Sequence, residues 1–540
     1  MTPHRLLRLF LILRVLLAAC SLHAAAAPEL SWAIGGDPRS FDPAKVEDET
    51  EETIRYLSGG VLIRLNRQTQ AIEPALAEKW TVTPDGRTVV FSLRPGLRFS
   101  DGTPLTSRDV AWSIQHILDK KTESALAEEF LKPSGVIVET SGAQTVRVHL
   151  PTRIVTLGSL FDEIVIQPEG KPCASRVSSG IYSVDQYQPG RSIHLSRNNY
   201  YWKHYNTGLA LPQVAGIRLE VMQNRDEEVM RFRRGQLSLI DELPPEYLSL
   251  INRSSPPGAH DMGPSLDTEQ LWFNQGSGAP IPETEKAWFR SQDFRLAIAQ
   301  AVRRSDLVRV AFAGHATPAD SFISPANVQW RNTQLRAPRE DKQAALARLN
   351  TAGFRVRAGL LYDAGGNQVT FSLLTNAGNP AREKMAALIQ QDLLDLGMRV
   401  NIVTLGFPEL IERLMHSQNY EACLLGLVNV QPDPSTGANV WLSSSEDHQW
   451  NPKEPQPATP WEKEIDILVR AQAAEGDTAR RKQAWDRIQQ IVADQQPFIY
   501  LVHRDITFAA SPAIQGISPA PLRPQLIWNI DTWKVSAPAQ

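Results

Sequence analysis

Cysteine is nearly absent from this chain: three in 540 residues, at positions 20, 173 and 423, too few for a disulfide framework and none at a metal-ligand spacing. Long hydrophobic runs are missing as well, since beyond residue 19 no stretch approaches the roughly 20 apolar residues that a membrane-spanning helix needs. Charge of one sign is not in surplus. Fifty-six basic residues against 59 acidic ones leave a formal −3, which excludes the basic field that grips nucleic acid. Catalytic signatures are lacking: there is no Gly-x-Ser-x-Gly elbow, phosphate loop, dinucleotide fingerprint or Cys-x-x-Cys. Eleven His are scattered without paired spacing, so neither a metal nor a cofactor is expected. What is present is an ordinary globular composition, 42% hydrophobic and 21% charged, with length for several domain-sized units.

Residues 1–27 read as an export signal. Arg5 and Arg8 form a positive start, residues 9–19 are apolar apart from Arg14, and small residues fill 24–27. Two processing routes stay open. Leu17-Ala18-Ala19-Cys20 resembles a lipobox, with Cys20 as the lipidation candidate, whereas the Ala24–Ala27 tail suits ordinary cleavage before Pro28. The mature chain is expected to be exported, periplasmic or extracytoplasmic, with a lipid anchor if Cys20 is the processing site. Loss of the three Arg takes its charge from −3 to about −6. Cys173 and Cys423 are expected as free thiols.

Strand and helix signals alternate along the rest. Residues 31–34 suggest a first strand. Residues 80–83 and 88–93 flank Pro84-Asp85-Gly86 as a hairpin, and Thr106-Ser107-Arg108-Asp109 fits a capping box before the apolar stripe Val110, Ile114, Ile117, Leu118. Further on, Phe294, Ala297, Ile298, Ala301 and Val302 mark a helix face, and Ser305-Asp306 suits a cap for the next helix. Residues 371–374, the helix from Met385 to Gly397 and residues 398–404 form a strand–helix–strand unit, which favours parallel pairing. Residues 451–460, rich in Pro, read as a surface loop.

Several segments fall in an order that resembles the family 5 extracellular solute-binding proteins, the peptide-, nickel- and oligosaccharide-binding components of ABC importers. They include Glu73-Pro74-Ala75-Leu76-Ala77-Glu78-Lys79-Trp80, Leu93-Arg94-Pro95-Gly96 and Phe99-Ser100-Asp101-Gly102-Thr103-Pro104. Ser179-Gly180-Ile181-Tyr182, Arg197-Asn198-Asn199-Tyr200-Tyr201-Trp202, Trp272-Phe273-Asn274, Asp433-Pro434 and Pro497-Phe498-Ile499-Tyr500 continue the likeness over nearly all of the mature chain. The resemblance implies an α/β fold of the two-lobe periplasmic-binding-protein type II class, with an extra subdomain inserted in lobe one. Lobe one would span 28–270 plus 500–540, its insertion 60–175, and lobe two 271–499. The implied function is delivery of a peptide, oligosaccharide or similar small solute to an ABC permease and its ATPase, by a monomer that closes its cleft and is not an enzyme. A ligand-presenting sensory subunit is the alternative, and a secreted hydrolase a weaker one.

The resemblance also nominates ligand-binding candidates. Trp272 and Asn274 stand where the chain first crosses between lobes, and the Asn274 amide would bond solute groups at the cleft floor. Arg382, in the first turn of a helix, would hold a carboxylate. On the loop after the strand 422–425, Leu427, Val430 and Asp433 face the cleft, and Trp441 lies near it, as do Trp32 and Trp450. His416 and His448 could approach it. Peptide binders of this family carry an Asp near the position of Val430 to pair with the ligand's ammonium group. Its absence here, with Asp433 set before Pro434 to organise a turn, predicts weak binding of free-amino dipeptides.

Overall fold

The computed structural model describes residues 29–130, 135–171, 176–204, 208, 210–253, 258–428 and 431–536. The leader with Cys20, and likewise Cys173 and Val430, lie outside the described residues. Cys423 is buried and free.

The first strand, Glu29–Ile34, alternates, burying Leu30, Trp32 and Ile34. It pairs in parallel with Gly216–Val221, and Ser192–Arg197 and Tyr182–Gln188 extend that sheet antiparallel. Between these elements in sequence, a separate antiparallel sheet is built in the order Ala77–Val82, Thr88–Leu93, Thr145–His149, Ile137–Ser141. Its own core holds Phe91, Phe99 and Phe161 together with Val110, Ile114 and Ile117 of the helix Ser107–Leu118. The expected capping box starts that helix. Arg108 N donates to Thr106 Oγ1 at 3.3 Å, and Thr106 N donates to Asp109 Oδ2 at 2.7 Å.

The largest sheet has seven strands, in the order Leu239–Ile240, Phe498–Ala510, Ala259–Phe273, Ala422–Leu427, Thr370–Asn376, Arg399–Leu405, with Ala316–Pro318 paired to the second of these. Ala422–Leu427 and the first half of Phe498–Ala510 read as continuous apolar runs because both faces are covered there. Leu271, Phe273, Leu373, Leu424 and Ile499 enter one core, whereas Trp272, Leu374, Cys423, Leu425 and Phe498 enter another on the opposite face. The strand Thr370–Asn376 pairs in parallel with Arg399–Leu405, and the helix Pro380–Leu394 lies between them in the chain, as the alternation implies. Gly397 ends that helix at φ +85°, and a Cβ there would stand 2.8 Å from Leu361 N.

One expectation is corrected. Ser305-Asp306 caps nothing: a short helical turn, Arg304–Asp306, runs directly into a π-turn, Leu307–Ala311, and Asp306 pairs instead with Arg309 at 2.7 Å. The Pro-rich segment 451–460 is a surface loop as expected, with only Pro452 and Glu454 turned inward.

Ala259–Phe273 and Phe498–Ala510 run antiparallel for most of their length and belong to two bodies at once. One end pairs Ala259 with Ala509 and Asp261 with Thr507; the other pairs Thr268 with His503 and Trp272 with Phe498. Between these ends the register slips at Asp261/Pro264 and again at Pro264/Thr268. Pro264 has no N–H to give the ladder, and Gly263, at φ +79°, turns the chain just before it.

Candidate functional site

The irregular middle of the two crossing strands carries polar side chains on alternate positions. Ser265, Asp267 and Glu269 face one side, and Leu266 and Thr268 the other. Each side borders a cavity. The larger one, about 490 Å³, is walled by Arg225 and residues 242–247 on one bank and by Gly378–Ala381, at the start of the helix Pro380–Leu394, on the other. It adjoins a smaller cavity of about 240 Å³ through the shared Arg225, where Trp32, Glu49 and Asp241 line the wall. The cavity on the opposite face is only about 70 Å³.

A chain of ion pairs crosses the large cavity. Arg523 pairs with Glu242 and, at 2.9 Å, with Asp267. Arg504 reaches Asp267 at 2.8 Å and Glu269 at 3.7 Å, and Arg382 holds Glu269 with two nitrogens at 2.8 and 3.1 Å. Five carboxylates (Glu49, Asp241, Glu242, Asp267, Glu269) thus meet three guanidiniums, since Arg225 is engaged with Glu228 at 2.6 Å. The excess shows in the titration of the acids. The Glu242 charge, followed by burial, raises Glu49 above its ordinary range; burial, followed by Glu242 and Glu49, pushes Asp241 up to about 7. Glu242 itself sits at φ +55°, a conformation that a non-glycine residue adopts at a cost of about 1–3 kcal/mol.

The sequence-derived candidates are divided by this geometry. Leu427, Asp433 and Trp441 line the 70 Å³ cavity together. Asp433 is taken: its Oδ1 accepts from Ser435 N at 3.0 Å, and both its oxygens lie 2.7 Å from Arg481 Nη2, so it organises the turn. Arg382 is neither a free carboxylate receptor nor a solvated first-turn cation, because Glu269 and, at 2.9 Å, Asn376 occupy its guanidinium. Trp272 and Asn274 line no cavity described above. Trp272 is 1% exposed, and its indole donates to Tyr420 Oη at 3.3 Å. Asn274 is wholly buried, donating to the carbonyls of Gln418 and Tyr420 at 2.9 Å each and accepting from Gly276 N at 3.1 Å. Trp32 lines the smaller neighbouring cavity, whereas Trp450 and His448 are buried in lobe-two packing.

Sequence reasoning missed Glu49, Asp241, Glu242, Asp267, Glu269, Arg504 and Arg523. Asp241-Glu242 beside Pro244-Pro245, and the polar run Asp267 to Gln270 inside an apolar strand, were the signals available. One further contact spans the molecule: Gln431 Nε2 donates to Glu163 Oε1 at 2.7 Å, joining the loop after Ala422–Leu427 to the inserted subdomain.

Residues 71–449 match the family described as bacterial extracellular solute-binding proteins, family 5 Middle. A relative named Probable ABC transporter-binding protein, from Deinococcus radiodurans, is 24% identical over 87% of this chain and 86% of its own. The Di/tripeptide-binding protein 2 of Pseudomonas aeruginosa is 23% identical over 97% of this chain and 98% of its own. The crystal structure of the ABC transporter substrate binding protein CtaP from Listeria monocytogenes superposes with a TM-score of 0.79 at 20% identity, covering 95% of this chain and 100% of that one. The members of this family are binding proteins, and among the described residues here no helix is long and apolar enough to cross a membrane. With the family matched over most of its length and the two-lobe type II fold in place, the chain belongs to the family 5 bacterial extracellular solute-binding proteins, which serve ABC transporters.

Proposed function

We propose that this protein captures a small solute bearing a cationic group, a peptide or a similar molecule, in the cavity along the crossing strands and passes it to an ABC permease without chemical change. The observation that carries this reading is the surplus of carboxylates over guanidiniums along two adjoining cavities, the larger banked by residues 242–247 and by Gly378–Ala381. A cation enclosed there would replace lost hydration with Glu49, Asp241 and Glu242, and closing the walls on it would bring both sets of contacts together. Weak binding of free-amino dipeptides was expected because Val430 replaces a carboxylate on the loop after Ala422–Leu427. In this reading Glu49, Asp241 and Glu242, which border cavities other than the one that loop lines, take the place of the missing loop carboxylate and let free-amino peptides bind. The relative from Pseudomonas, named for di- and tripeptides, supports a peptide class.

The lobes divide, in this reading, within the irregular middle of the crossing strands, near 262–267 and 504–506, so the boundaries expected at 270/271 and 499/500 shift by a few residues. Export with loss of residues 1–27 or release at Cys20 also belongs to the proposal, and the mass of the mature protein distinguishes the two. Calorimetry with di- and tripeptides and their N-acetylated forms tests the solute class. Binding that weakens at least tenfold on acetylation and in Glu242→Gln supports it; equal binding of acetylated peptides overturns it.

A further inference from the structure

Far from the cleft residues in sequence, the segment leading into the helix Pro460–Ala474 gathers three buried ligand-type side chains: His448, Glu454 and Glu462, at 0%, 5% and 3% exposure. One donor atom from each lies within 4.8 Å of the others. His448 Nδ1 lies 3.1 Å from the Val440 carbonyl, which can accept only a proton-bearing nitrogen, so the neutral ring turns the lone pair of Nε2 inward. That nitrogen has no hydrogen-bond partner, although it is wholly enclosed. Its nearest carboxylate oxygens are Glu462 Oε1 at 3.7 Å and Glu454 Oε1 at 3.8 Å. Both distances are too long for a hydrogen bond. They lie close to the edge of a tetrahedron built on metal–ligand bonds of about 2.0–2.2 Å, which is about 3.3–3.6 Å.

The carboxylates are held as metal ligands are held. Glu462 accepts from Trp450 Nε1 at 2.9 Å and from Thr459 Oγ1 at 2.7 Å; Glu454 accepts from Ala458 N at 2.7 Å and from Asn451 Nδ2. Among the described residues, no Lys or Arg stands within ion-pair distance of either, and only the buried Arg295 acts on Glu462 at longer range, so a neutral His448 leaves the two carboxylates without a direct cation partner in a closed site.

We propose that His448, Glu454 and Glu462 form a structural site for one divalent cation of borderline softness, zinc by its nitrogen-and-carboxylate ligand set. A 2+ ion would neutralise both carboxylates and satisfy the orphaned Nε2. It would also pin the loop 443–459 to the first turn of the helix Pro460–Ala474. That loop supports the end of a crossing strand, because the Trp450 carbonyl accepts from Gln275 N at 2.7 Å. The site is separate from solute capture and does not depend on it.

The test uses the full mature chain, produced without a polyhistidine tag, stripped with EDTA and titrated with zinc chloride. About one zinc per chain by elemental analysis is expected, with a concentration-dependent rise in Tm that magnesium does not reproduce. Glu454→Gln, which keeps the side chain's shape, should lower zinc affinity at least tenfold while leaving the apo Tm unchanged or raised. Absence of bound zinc at micromolar free metal would overturn the proposal, as would zinc binding that Glu454→Gln and Glu462→Gln both leave intact. A His448 imidazole shown by nitrogen-15 NMR to stay doubly protonated above pH 8 in the presence of zinc would replace the metal with a proton.

Discussion

Asn274 spends its side-chain amide on the chain's own backbone, at Gln418, Tyr420 and Gly276. Replacing it with Ala removes the side-chain partners of the Tyr420 carbonyl and the Gly276 N–H, which costs about 1–3 kcal/mol. Asn274→Ala should therefore lower the denaturant midpoint while solute affinity, measured by calorimetry on the folded fraction, stays within twofold of wild type. Asp241 is expected to behave in the opposite way. Its folded pKa, about 7, stands above the ordinary aspartate value of about 3.9, so the folded state holds a proton that the unfolded state has released between those limits. Its contribution to stability is fully present below pH 4 and is lost as the pH rises to 7. Asp241→Asn, which keeps the neutral form at every pH, should be more stable than wild type at pH 8 and indistinguishable at pH 4, as urea unfolding at the two values will show. If a cation binds the ionised form, wild-type affinity should fall from pH 8 to pH 5, and Asp241→Asn should flatten that profile.

At the scale of elements, the parts most legible in the sequence are those decided by nearest neighbours. The capping box at Thr106, the Pro84-Asp85-Gly86 turn and the Gly397 stop depend on a few contiguous backbone groups, and all three stand where the residues place them. Thr106→Ala should cost about 1 kcal/mol, read as earlier hydrogen exchange in the first turn of Ser107–Leu118 and a lower subdomain unfolding temperature. The two-faced strands of the large sheet were visible as apolar runs, but which residue enters which core follows from the pleat. Ser305-Asp306 failed as a cap because the chain was already helical at Arg304 and the Asp306 carboxylate had cations on either side.

For the whole molecule, the two crossing strands form the only continuous sheet shared by both bodies among the described residues, and their ladder is broken at Gly263-Pro264. Bending should concentrate there. Small-angle scattering under saturating solute should give a smaller radius of gyration than the free protein, and Pro264→Ala, which restores an N–H to the strand, should reduce the change. An equal radius with and without solute would argue against closure. The Gln431–Glu163 hydrogen bond joins the lobe-two loop to the inserted subdomain and so limits how far that loop can move without breaking it.

Hydrophobic period, caps and turns by themselves determined alternating strands and capped helices of an α/β protein, because they act over a few residues; the two-lobe binding-protein architecture with its inserted subdomain was legible only through the resemblance of the ordered segments to the family 5 solute-binding proteins. The proposed binding surface was decided elsewhere. Glu49, Asp241, Glu242, Asp267, Glu269, Arg382, Arg504 and Arg523 are scattered over nearly 500 positions, and only the folding of both crossing strands sets their charges within reach of one another. A carboxylate's partner, and hence its charge and its pKa, depends on distances through space of a few ångströms, and burial raises the cost of every unpaired charge. Asn274 and Asp433 show the same thing from the other side: residue types suited to holding a solute are consumed by the chain's own carbonyls and guanidiniums once tertiary contacts form.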